Sequence, residues 1–169
     1  MDDLLVKAIE AKNSLIENMN TVVMSTIGSD GLPNSSYAPA IVDLDYNFYI
    51  YISSLSKHTS NLLSNNKVSI MIIEDESVSE NIFGRKRFTM DAHSDLIDRE
   101  SNKWNQLILN MESKFGETVT YLKNMTDFHL FKIKPQKGLL VHGFARAFVF
   151  DGPGLSQIRY LNEKGHTKK

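Results

Sequence analysis

Five histidines, at positions 58, 93, 129, 142 and 166, are the first residues in this chain whose chemistry could define it. No two of them stand at i, i+3 or i+4, so no compact zinc site is visible. His129, between Phe128 and Leu130, reads as a packed strand residue. His142 shares a strand face with Phe144, Arg146 and Phe148 and reads as structural, as does His93 on the polar face of its own strand. His58, near a helix start, reads two ways: facing an anion, or exposed to solvent. His166 follows Gly165 in a polar tail where packing demands no imidazole. It is either an ordinary exposed histidine or an axial ligand that folds over a bound metal cofactor. The run Arg85-Lys86-Arg87 opens a strand. It is either an edge guard against aggregation or a grip on phosphate or propionate, which guanidinium binds bidentately. Glu74-Asp75-Glu76 reads as a solvated acidic loop.

Other chemistries lack support. No GxGxxG, P-loop, HExxH or GxSxG occurs, which removes the motif basis for nucleotide or serine-hydrolase chemistry. Zero cysteines excludes disulfides, thiolate metal sites and cysteine nucleophiles. The 19 basic and 20 acidic residues leave a net charge of −1, and a nucleic-acid binder would carry a cationic excess. Apolar residues at 41% and charged residues at 23% describe a folded globular chain. No apolar run approaches the ~20 residues of a membrane span. The opening MDDLLVKAIEAK lacks a signal-peptide core. These features together predict a cytoplasmic protein with no membrane or nucleic-acid partner.

The 169 residues predict one domain. Residues 3–19 carry a helical stripe of Leu4, Ala8, Leu15 and Met19, flanked by Leu5, Ile9 and Ile16. Strands are predicted at 21–27, 35–43, 47–53, 67–74, 86–94, 128–134 and 138–150. Ser56 is placed to cap a short helix running to about Leu63. Trp104, Leu107, Ile108, Met111 and Phe115 mark a helix over 97–115, with Gly116 as its stop. The tail, about 162–169, reads as polar and flexible. Short turns between most strands predict a mainly β fold with flanking helices, a six- to seven-stranded antiparallel split β-barrel.

Two segments resemble the FMN-binding split barrels of the pyridoxamine 5′-phosphate oxidase superfamily. They are Thr26-Ile27-Gly28-Ser29-Asp30-Gly31-Leu32-Pro33-Asn34-Ser35-Ser36-Tyr37-Ala38-Pro39 and Ile52-Ser53-Ser54-Leu55-Ser56-Lys57-His58-Thr59-Ser60-Asn61-Leu62. Three more stretches are similar to its heme-utilisation HugZ/HutZ branch. These are residues 71–76 followed by Phe83-Gly84-Arg85-Lys86-Arg87-Phe88-Thr89, then Asp127-Phe128-His129-Leu130-Phe131, and the tail Leu161-Asn162-Glu163-Lys164-Gly165-His166.

The resemblance implies a homodimer that binds heme between its subunits and opens the ring to release iron, with electrons from an external donor. By the same resemblance, His166 is the proximal ligand and Asp127 its carboxylate partner, from the same or the other subunit. Arg87 resembles the family's distal or propionate-binding arginine; Arg85, Lys57 and His58 are further candidate cofactor contacts read from the residues themselves. One departure bears on FMN. In pyridoxamine phosphate oxidases the strand after the first turn carries an arginine and a lysine for the flavin phosphate. Here that strand, 35–43, has no cation. Tight FMN binding is therefore not expected, and Lys57 would be the residual phosphate contact. The rivals are an FMN-dependent oxidoreductase of the same fold and a non-enzymatic heme carrier.

Overall fold

A computed structural model of the chain describes residues 3–143 and 146–161. It contains helices α1 (Asp3–Glu17), α2 (Lys57–Ser64), α3 (Asn102–Phe115) and α4 (Glu117–Leu122). Its strands are β1 (Thr21–Ile27), β2 (Pro33–Val42), β3 (Phe48–Ser53), β4 (Lys67–Ile73), β5 (Arg87–Ile97), β6 (Phe128–Val141), β7 (Ala147–Asp151) and β8 (Gln157–Tyr160). All pairings are antiparallel, in the order β3-β2-β1-β4-β5-β6-β7-β8. An added β3–β6 pairing closes the first six strands into a barrel, with β7 and β8 as an extension.

The predicted barrel is observed, with eight strands in the sheet rather than six or seven. The extra one is β8, whose Gln-Ile-Arg-Tyr carries little apolar signal. Three predicted boundaries are corrected. The predicted gap over 135–137 is absent: β6 runs through Pro135, and a bulge opposite Asp91 and Ala92 absorbs Gln136. The predicted 138–150 strand is instead split, because the chain turns after Val141 and His142 N–H bonds the Arg146 carbonyl. His142 therefore sits in a turn rather than on a strand face. The helix predicted from 97 begins at Asn102. Ile97 is buried and pairs with Leu130, and Ser101 caps the helix by accepting from Trp104 N–H.

Inward residues fill the barrel: Met24, Ile50, Ile70, Phe88, Met90 and Phe131 are all at most 1% exposed. A second core lies outside it. Trp104, Leu107, Ile108 and Met111 of α3 pack over Tyr49 and Tyr51 on the outer face of β3. Helix α3 thus covers one side of the barrel.

The opposite side is laid out by the ladder. Directly paired residues share a face, and register aligns Tyr37, Val23, Met71, Thr89 and Leu139 across β2, β1, β4, β5 and β6. Tyr37 is 66% exposed, and Val23 and Leu139 are each 38% exposed. This row of mostly apolar side chains has no helix over it among the described residues.

Candidate functional site

Arg87 is the first residue of β5. Phe88, Met90 and Ala92 point into the barrel, so Arg87 and Thr89 point outward. Its pairing partners are Ile73 and Val141, which puts it in the row next to Thr89 and Leu139. Strand β5 lies between β4 and β6, so the edge-guard reading of the basic run is corrected: there is no free edge here.

The acidic loop is not merely solvated either. Arg85 donates from Nη1 to Glu76 Oε1 at 2.9 Å and from Nη2 to the Glu74 carbonyl at 2.5 Å. Glu74 Oε1 accepts from Lys86 N–H at 2.9 Å, and Lys86 Nζ lies 3.9 Å from Glu74 Oε2. These contacts pin the 74–86 loop and spend the charges of Arg85 and Lys86 within it. Arg87 pairs with no carboxylate among the described residues, and its Nη1 donates to the Arg85 carbonyl at 3.2 Å.

Asp127 stands just before β6. The Ser53 hydroxyl donates to its Oδ2 at 2.6 Å, and Ser54 N–H donates to its carbonyl at 2.8 Å. Ser54 Oγ lies 2.8 Å from His129 Nε2, so His129 is tied to a neighbouring side chain, consistent with its structural reading. Behind them Arg99 donates to the Tyr51 hydroxyl at 3.2 Å, to the Phe128 carbonyl at 3.4 Å and to the Lys123 carbonyl, with its guanidinium 5.1 Å from the Trp104 ring centre. Burial pushes the Tyr51 hydroxyl pKa up, Asp127 adds to the rise, and Arg99 opposes it. Ser53, Ser54 and Arg99 were not singled out from sequence. Both serines lie in a quoted stretch, but a pair of serines carries no chemical signal until its partners are known.

Helix α2 follows directly and places Lys57, exposed, and His58 at this same end. His58 is 9% exposed, which corrects the solvent-exposed reading. Burial lowers its pKa and favours the neutral ring, a poor match for an anion. His166 lies outside the described residues. Those residues include no group of three or more His, Asp or Glu side chains arranged for a metal ion.

Arg85, Arg87 and the start of the tail occupy one end of the sheet. Leu161 N–H donates to the Ala147 carbonyl at 2.8 Å, and Ala147 pairs with Val141, the partner of Arg87. Asp127, Lys57 and His58 occupy the other. The β5–β6 ladder between them runs from Arg87–Val141 to Ile97–Leu130, roughly 30 Å at about 3.3 Å per residue. A single chain does not bring Arg87 and Asp127 together. A separate cleft of about 900 Å³ opens beneath α1 and is lined in part by Glu10, Glu74, Lys86 and His142; neither Arg87 nor Asp127 borders it.

Comparison with known proteins places this architecture. The family described as pyridoxamine 5′-phosphate oxidase matches residues 8–142. The heme oxygenase HutZ of Vibrio cholerae is 38% identical over 152 residues, covering 90% of this chain and 85% of HutZ. A crystal structure of HutZ, there described as a heme storage protein, superposes with a TM-score of 0.72 at 35% identity, over 75% of this chain and 89% of that one. Campylobacter jejuni ChuZ superposes with a TM-score of 0.85 at 28% identity, over 97% of this chain and 66% of that one. With the closed six-stranded barrel, these matches establish that the chain belongs to the pyridoxamine 5′-phosphate oxidase family of split barrels, in the branch that contains HutZ.

Proposed function

We propose that this chain is a heme-degrading protein of the heme-oxygenase type, working as a homodimer with two equivalent heme sites, each between facing ends of its two subunits. The observation that carries the reading is the separation of Arg87 and the tail from Asp127. His166 is five residues beyond Leu161, and five residues reach at most about 18 Å at ~3.6 Å each. That reach covers the Arg87 end of its own subunit and falls short of its own Asp127. A site holding His166, Arg87 and Asp127 is therefore completed by Asp127 of the second subunit. The uncovered row from Tyr37 to Leu139, one row from Arg87, is the apolar surface on which the subunits meet.

In this site heme is substrate, and its iron supplies the oxygen chemistry once an external donor reduces it. The protein's part is placement. Arg87, which pairs with no carboxylate among the described residues, would hold a propionate or serve the distal side through charge-assisted hydrogen bonds. His166 would hold the iron through its imidazole. Asp127 accepts its ring N–H, which fixes the ring and raises its basicity. The relatives' names support both degradation and storage, and the same ligands serve either. A cytoplasmic setting belongs to the reading, in keeping with a chain without cysteine. Among the described residues no helix is long and apolar enough to cross a membrane.

FMN does not fit as the resident group. The outward positions of β2 are Ser35, Tyr37 and Pro39, opposite Ser25, Val23 and Thr21 on β1. None is cationic, so a flavin phosphate would have only Lys57 of the predicted contacts.

Titration with hemin and with FMN, followed by reductant under air, tests the reading. The expected result is a Soret band that appears with hemin and bleaches on reduction. A stable Soret band would favour storage, and retained flavin would favour the oxidoreductase. Arg87→Ala is expected to weaken hemin binding or slow bleaching about tenfold or more, since a charged hydrogen bond contributes about 1.5–3 kcal/mol. Its side chain faces outward from the barrel, so the melting temperature should move little. Unchanged affinity and rate in this variant would remove Arg87 from the site.

A further inference from the structure

We infer that Ser53 is the positioning residue for the Asp127 carboxylate, and that the Ser53-Ser54 pair is built to present that carboxylate to a histidine arriving from another subunit. The inference rests on the proposed heme site and names how that site is held ready before the histidine is in place.

The polarity of the Ser53 hydroxyl is determined by its surroundings. Its oxygen accepts from Leu55 N–H at 3.1 Å. Its single proton is then available for Asp127 Oδ2, 2.6 Å away, within the range of a charge-assisted O–H···O⁻ bond. Ser53 itself is held from three directions. It pairs with Phe128 at the end of the β3–β6 ladder. Its carbonyl accepts from the buried Thr59 hydroxyl of α2 at 2.6 Å. The next residue, Ser54, donates its N–H to the Asp127 carbonyl and joins its hydroxyl to His129.

Two adjacent serines thus fasten the residues on either side of Phe128, one by its carboxylate and one by its imidazole. Phe128 packs its ring 5.1 Å from Tyr51, and Arg99 holds its carbonyl. Asp127 is anchored through both main chain and side chain, with Oδ2 committed to Ser53. A carboxylate has about four acceptor positions, so the commitment leaves capacity for the N–H of an imidazole.

The benefit is preorganisation. A carboxylate free to rotate would lose rotamer freedom each time it met the histidine, and here that loss is taken during folding. Among the proposed site residues the Ser53 hydroxyl bonds only Asp127, so its effect on the site would travel through that carboxylate.

The test compares Ser53→Ala, Ser53→Thr, Asp127→Asn and the double variant Ser53→Ala/Asp127→Asn in the full-length protein loaded with hemin. The readouts are hemin affinity, the ferric absorption spectrum and the iron–histidine stretching frequency of the ferrous form. That frequency falls when the hydrogen bond to the axial imidazole weakens, and a purely structural role for Ser53 would not move it. Ser53→Ala is expected to lower the frequency in the direction of Asp127→Asn and to weaken hemin affinity by about tenfold, the lower edge of what outer partners contribute. Ser53→Thr, which keeps the hydroxyl, should restore both. In the double variant, Ser53→Ala should add nothing further to Asp127→Asn. If Asp127→Asn shifts the frequency and Ser53→Ala does not, the positioning role is refuted and the heme site stands. If Asp127→Asn itself changes nothing, the heme-site reading has failed first, and the inference fails with it.

Discussion

His166→Ala is expected to abolish heme degradation and change the heme spectrum, while leaving the dimer and its melting temperature as in the parent. The residues after Leu161 are Asn-Glu-Lys-Gly-His-Thr-Lys-Lys, without one large apolar side chain, so a substitution among them is expected to cost little folding stability. An imidazole on the iron, by contrast, determines its electronic state and reactivity. Asp127→Ala is expected to be milder, with a loss of about 10–100-fold in affinity or rate.

The two lesions together test the intersubunit arrangement. A purified mixed dimer would carry His166→Ala on one chain and Asp127→Ala on the other. Its two sites are then unlike: one lacks both groups, and the other has both. Such a dimer should regain about half of the parental activity. If His166 and Asp127 served the same subunit, each site would carry one lesion, and activity would stay below about 5% on the same 10–100-fold scale. Parental behaviour in His166→Ala alone would move the axial ligand elsewhere, with His58, His93 and His142 the next candidates. Of these, His58 is buried in α2 and His142 sits in the turn beside the cleft under α1.

The fold was largely legible because its strands alternate strongly. Residues 87–94 place Phe88, Met90, Ala92 and Ser94 inward against Arg87, Thr89, Asp91 and His93 outward, and register with β4 and β6 preserves that alternation. Where the reading failed, a local signal outweighed a tertiary one. Residues 135–137 read as a gap, yet the bulge at Gln136 lets β6 continue through Pro135. Trp104 to Phe115 projected a helix back to 97, but Ile97 has a cross-strand partner and Ser101 a capping role.

The site was legible only by residue type. Arg85-Lys86-Arg87 reads as three equivalent cations. Only the folded 74–86 loop distinguishes them, by engaging Arg85 and Lys86 with Glu74 and Glu76 and leaving Arg87 outside that network. Ser53 illustrates the converse. Its partner Asp127 is 74 residues away, and no local pattern encodes that pairing.

The proposed subunit face yields the second large effect. Met71→Asp is expected to convert the dimer to a folded monomer and to cut heme degradation by about 10–100-fold or more. Met71 is the centre of the exposed row, paired with Val23 on one side and Thr89 on the other. It is half-buried and points away from the barrel core, so a carboxylate there stays solvated in the lone subunit. In the dimer the same carboxylate would be sealed against an apolar surface without a partner, a cost of about 3–5 kcal/mol. A two-fold axis imposes that cost twice. The sum, about 6–10 kcal/mol, raises the dimer Kd by 10⁴-fold or more at ~1.4 kcal/mol per decade. Sedimentation should then show a species of 19.2 kDa with parental circular dichroism. Val23→Asp in the same row should behave alike. Leu109→Asp, on the 62% exposed outer side of α3, is the control and should remain dimeric. Heme degradation should fall with the dimer by at least the 10–100-fold of Asp127→Ala, because each monomer keeps its Arg87 and its tail but loses the Asp127 of the other subunit. A Met71→Asp protein that stayed dimeric and active would place the interface on another face, and the reach argument for Asp127 would then need a different partner surface.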